Sequence, residues 1–160
     1  MNLILESSTF NKKNVFFHEP VKNTIMNDSN FIRIIYSNKD FILNGIYIKI
    51  NINKDILQRK NFTSLIQDNT TNNNTNNTNN TNKDTNEELF QFIETLEKNI
   101  LAQYETDRTH CYKIKEQLFY LLNKINNCNN NRNIFNYILK ISGLWETETH
   151  IGITYKFIYI

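Results

Sequence analysis

Ile134-Phe135-Asn136-Tyr137-Ile138-Leu139-Lys140-Ile141, then Ser142-Gly143-Leu144-Trp145-Glu146-Thr147-Glu148, then Ile151-Gly152-Ile153-Thr154-Tyr155-Lys156-Phe157-Ile158-Tyr159-Ile160 close the chain. Two runs rich in Ile, Tyr and Phe flank a short segment that holds the only Trp, and two of the three Gly fall in this stretch. Such runs read as β-strands, because β-branched and aromatic side chains fit a pleated, half-buried surface. In the last run Ile151, Ile153, Tyr155, Phe157 and Tyr159 share one face, which reads as core, while Thr154 and Lys156 point the other way.

Working toward the N-terminus, Phe31–Ser37 and Phe41–Asn53 are two further strands joined by Asn38-Lys39-Asp40, an expected antiparallel hairpin. Ile42, Ile46, Ile48, Ile50 and Ile52 alternate onto an expected core face. Asn44-Gly45 has the composition of a hairpin turn, but a Gly inside a longer alternating run also marks a bulge or a barrel corner, and the bulge is the expectation. Val15–His18 forms a short strand stopped at Pro20.

Residues 69–86 form an Asn/Thr repeat without an apolar side chain. Such a tract cannot offset the entropy of ordering itself and is expected to be a disordered loop inserted in one domain spanning residues 1–160. Thr85-Asn86-Glu87-Glu88 has capping-box form. A helical segment over residues 87–125 follows, with Leu89, Phe92, Ile93, Leu96, Ile100 and Tyr104, then Cys111, Ile114, Leu118, Leu121 and Ile125, on its apolar face. As one helix it would be about 57 Å long, so the polar stretch Glu105–Thr109 is expected to break it in two. The fold class is therefore α+β: an antiparallel β-barrel with an inserted helical segment and an Asn/Thr loop.

Composition narrows the functions. The chain of 160 residues has 18 basic and 16 acidic side chains, a net charge of +2, so any basic surface must be local. Asn, about 30 residues, replaces Gly and Pro in turns. No secretory signal and no run of about 18 apolar residues is visible, which points to an intracellular, cytoplasmic protein without a membrane span. Cys111 and Cys128 are then expected to be two reduced thiols.

No catalytic or cofactor motif stands out. His18, His110 and His150 lie far apart, and His110-Cys111, expected on a helix, would point about 100° apart, poorly placed for one metal. Glu146 and Glu148 could share a side as paired carboxylates, but solvated edge residues are the plainer reading. Walker A, dinucleotide and Gly-x-Ser-x-Gly signatures are missing. The expectation is a protein that is not an enzyme, with no cofactor and no metal. The remaining signal is the interleaving of aromatic and basic residues that single-stranded nucleic acid requires: Tyr36, Tyr47 and Trp145 to stack on bases, Arg33, Lys49 and Lys156 to meet phosphates.

Asn30–Ser37, Phe41–Ile46, Ile141–Thr147 and Gly152–Phe157 look like segments of small proteins of large nucleocytoplasmic DNA viruses. Within that group the order of elements resembles the single-stranded-DNA-binding proteins built on an oligonucleotide/oligosaccharide-binding (OB) barrel, in which a Gly-aromatic turn precedes the closing strand. The resemblance implies strands from both halves of the chain around an inserted helical segment, a role in viral DNA replication, and a setting in the host cytoplasm or viral factory. Single-stranded DNA is the implied partner, with RNA as the alternative. A second expectation is a viral structural or assembly protein that uses its amphipathic helices to bind a partner or a second copy of itself.

Overall fold

A computed structural model describes residues 3–54, 85–129 and 132–160. Among the described residues eight strands run β1 (Val15–Phe17), β2 (Val21–Lys22), β3 (Asn30–Ser37), β4 (Ile42–Asn44), β5 (Ile46–Asn53), β6 (Thr109–Cys111), β7 (Ile134–Glu146) and β8 (His150–Tyr159). Two helices, α1 (Thr85–Ala102) and α2 (Ile114–Asn126), flank β6. The result is an α+β fold in which a curled mixed sheet forms a half-barrel with two helices.

The organising element is β7, whose 13 residues are long enough to serve two neighbours on one edge. Residues Ile134–Ile141 pair antiparallel with β5, and Gly143–Glu146 pair antiparallel with β3, while β8 runs along the opposite edge. The register slips between Ile141 and Gly143. Beside that slip sits Gly45, at φ +100°, where a Cβ would meet the Ile141 carbonyl oxygen at 2.7 Å. Gly45 is thus a corner, not a bulge within one strand: β4 before it pairs with β3, and β5 after it pairs with β7. Only Gly enters such a backbone conformation without strain.

The corner explains one misplaced side chain. Ile46, Ile48, Ile50 and Ile52 keep the expected core face, whereas Ile42 is 73% exposed, because the turn at Gly45 resets the alternation. Each buried Ile contributes about 2 kcal/mol of apolar transfer free energy, so this four-residue row is a main anchor of the sheet.

Both helices lay their apolar stripes against the sheet and each other. Phe90, Ile93, Leu96, Ile100 and Leu101 of α1 and Ile114, Leu118, Leu122 and Ile125 of α2 are buried in one core with the sheet. Leu96, Ile100 and Leu118 are therefore interior and offer no surface for a partner or a second copy, and Leu121 also packs against the core. The segment between the helices holds β6, which pairs parallel with His150–Gly152 of β8. Sequence reasoning gave a wholly antiparallel sheet and put His110 and Cys111 on a helix. The parallel ladder arises because the chain leaves α1 and passes the β7–β8 turn in the direction of β8, with Thr109 N–H donating to Thr149 O at 2.9 Å. Beyond Gly152 no described residue pairs with this edge of β8.

Helix α1 starts at Thr85. The Thr85 cap side chain and the Asn/Thr tract up to residue 84 lie outside what is described. Cys111 and Cys128 are free thiols. No helix among the described residues is long and apolar enough to cross a membrane.

Candidate functional site

The curl gives the sheet an inner face against the helices and an outer face turned away from them. Directly opposed residues on antiparallel strands share a face, so the registers define the outer one. Phe31, Trp145 and Gly152 form one row across β3, β7 and β8; Arg33, Gly143 and Thr154 form the next. One step on, Tyr47, Lys140 and Lys156 form a row across β5, β7 and β8, followed by Lys49, Ile138 and Ile158. Arg33, Tyr47, Lys49, Trp145 and Lys156 therefore occupy one surface.

Tyr36 does not join them. It is 1% exposed on the inner face, packed between Phe10 and Phe41 at ring separations of 5.9 and 6.3 Å. Its hydroxyl accepts the Asn11 N–H at 3.1 Å. Alternation along β3 puts it in register with Ile32 and Ile34, and partners in the N-terminal segment make a buried phenol tolerable. It has no free ring face for a base.

Each remaining side chain has a definite anchor. Arg33 is exposed, donates from Nη1 to Asn44 Oδ1 at 3.0 Å, and lies 5.7 Å from the Phe31 ring centroid. The amide and the ring fix its direction without neutralising it. Tyr47 is half-buried beneath the Lys140 ammonium, 5.4 Å from its ring centroid. Lys49 is paired with Glu6 Oε1 at 3.3 Å, held there by a parallel bridge between Leu5 and Ile48. Lys156 is exposed and has no ion-pair partner among the described residues. Trp145 is half-buried with its indole over Gly152, where a Cβ would come within 2.6 Å of the ring.

Strands β3, β5, β7 and β8 carry four Lys or Arg, all on the outer face. Their one carboxylate, Glu146, is turned inward and 4% exposed, opposing the reading of a solvated edge residue. There it accepts from Asn30 Nδ2 at 3.1 Å, and Arg108 Nη1 lies 2.9 Å from Oε2 in an ion pair off the line of a hydrogen bond. Glu148 is exposed, so the two carboxylates do not converge as a catalytic pair. The outer face of these four strands thus carries four of the chain's 18 Lys and Arg side chains and no carboxylate of its own, with Glu6 of the N-terminal segment reaching Lys49.

Two members of this surface were missed from the sequence, Lys140 and Phe31. Period-two alternation with Asn136 and Ile138 was the available signal for Lys140, and alternation with Arg33 was the signal for Phe31. Elsewhere, three or more His, Cys, Asp or Glu do not gather in metal-binding proximity among the described residues. His110 and Cys111 are consecutive on β6 and so point to opposite faces.

Two perturbed groups, Glu97 and Tyr155, sit where α2 begins. Glu97 Oε1 accepts the N–H groups of Lys113 at 2.7 Å and Ile114 at 3.1 Å, capping α2 from α1. Burial raises its pKa against the lowering effect of those donors. Tyr155, whose hydroxyl donates to Lys113 O at 3.0 Å, is pushed up to about 12 by burial and by the nearby Glu97 and Glu116 charges. No family model matches the chain, and neither does any curated protein or solved structure.

Proposed function

We propose that this chain is a non-catalytic binding protein for single-stranded nucleic acid, DNA first, and that the outer sheet face is its binding surface. On this reading the half-barrel is OB-like, and the likeness to the viral proteins supplies the setting, DNA replication. The observation that carries it is the segregation of charge: Arg33, Lys49, Lys140 and Lys156 face outward from strands whose sole carboxylate faces in. Cations beside aromatic rings meet the needs of a flexible polyanion with unstacked bases. Tyr47, Phe31 and Trp145 supply ring surface, each only in part, since Lys140, Gly143 and Gly152 respectively already lie against them.

Fluorescence-anisotropy titration with a labelled mixed-sequence single strand and its duplex, at several salt concentrations, tests the reading. Preferential binding to the single strand is expected. Three to four phosphate contacts predict a log–log salt slope of about −2 to −3. Equal affinity for duplex, or no binding at tens of micromolar, counts against it.

A further inference from the structure

The outer face does not end at Arg33. Ile35 and Ser37 continue it along β3, and the strands on either side place Phe16 opposite Ile35 and Ile42 opposite Ser37. Between them is an open cleft of about 500 Å³ that His18 and Glu19 also line. Phe16 is 52% and Ile42 73% exposed, large apolar side chains left in water on both walls.

We infer that this cleft is a nucleobase subsite, in which one unpaired base slides between Phe16 and Ile42 over Ile35 while Arg33 holds its phosphate. The inference rests on the binding face proposed above and deepens it. Phe16 and Ile42 stand on strands two apart and are offset by two residues along β3, a diagonal separation of about 12 Å. A flat ring with a van der Waals contact of about 3.5 to 4 Å on each side spans about 7 to 8 Å of that width, and the two side chains fill the rest, which leaves room for one base and not for a base pair.

Arg33 lies two residues from Ile35 on the same face, about 7 Å along the strand, within one nucleotide's reach. Asn44 fixes Nη1 and leaves the other guanidinium donors for a phosphate. His18, Glu19 and Ser37 also line the cleft and present donors and acceptors to a base edge. Because apolar side chains share the lining with these polar groups and with the Glu19 carboxylate, the cleft favours an unstacked base over a bare phosphate, and a base still in a duplex cannot enter.

The test is a titration of full-length protein, ¹³C-labelled at Ile methyls, with a short mixed-sequence single strand and its duplex, repeated with Phe16→Ala, Ile42→Ser and Phe16→Tyr. Both walls are largely exposed, so these variants spare the core. The single strand should shift the Ile35 and Ile42 methyl signals, and the duplex should not. Phe16→Ala should lower affinity about tenfold, and Phe16→Tyr should restore it. Salt-sensitive single-strand binding with unmoved Ile35 and Ile42 signals and undiminished Phe16→Ala affinity overturns the subsite and leaves the cationic face standing. Failure of the wild-type chain to bind the strand overturns both.

Discussion

Lys140 and Lys156 stand directly opposite each other on adjacent antiparallel strands, with no carboxylate on the outer face of β3, β5, β7 or β8 to separate them. Like charges so placed are destabilising, and a surface that keeps them has a counter-charge to gain from a ligand. Lys156→Glu should therefore move stability and binding in opposite directions. We expect a stability gain of about 0.5 kcal/mol in chemical denaturation, with single-strand affinity reduced and the salt slope shallower by about one. Unchanged affinity would remove Lys156 from the binding path.

Glu97 makes a prediction with a defined pH window. Its folded pKa is raised above the ordinary 4.5, so the folded state holds the proton more tightly and stability contributed at low pH is lost as pH rises above that value. Glu97→Gln keeps an acceptor for the Lys113 and Ile114 N–H groups and should flatten this slope. Glu97→Ala strands the buried Ile114 N–H and should cost about 2 kcal/mol at neutral pH. Glu94 acts in a different window. Lys115 and Lys98 hold it down to about 2, so its contribution is present above 4.5 and lost as pH falls toward 2. Denaturation curves across both ranges, for wild type and Glu97→Gln, separate the two.

Gly45→Ala should be among the costliest small substitutions in the sheet. The new Cβ meets a backbone carbonyl at 2.7 Å at a residue with φ +100°, and a loss of about 2 kcal/mol or more follows. A thermal midpoint equal to wild type would mean that the corner can be turned another way.

Arg108→Ala leaves the Glu146 carboxylate buried without its cation and should destabilise by about 3 kcal/mol. Adding Glu146→Gln should recover much of that loss, since a neutral amide needs no counter-ion and still accepts from Asn30. A double variant no more stable than Arg108→Ala would locate the cost in the Arg108 contact with Thr147 O.

What could be read in advance follows the range of the interactions involved. Period two along β5, β7 and β8 is local, so Ile46 to Ile52 and Ile151 and Ile153 fell on the core face as expected, with Lys156 on the other. Strand β6 is three residues, Thr-His-Cys, without a hydrophobic pattern. It exists because β8 offers an edge, which no local window contains. Tyr36 was misplaced for a related reason: its alternation was legible, but the rings of Phe10 and Phe41 that enclose it come from separate segments. Glu146 likewise reads as an edge carboxylate until Arg108, arriving from the inter-helix segment, is seen to lie against it.

The short reach of β6 leaves Ile153 to Tyr159 of β8 with a row of backbone groups that no described residue pairs on that side. Six of those seven side chains are uncharged, in the order Ile-Thr-Tyr, then Phe-Ile-Tyr, and the charge between them is Lys156. Such a segment is a template onto which another copy of itself can add, rung by rung, into a fibre. Lys156 therefore guards the chain against its own polymerisation, and a neutral replacement there should shorten the lag before turbidity develops in concentrated solution.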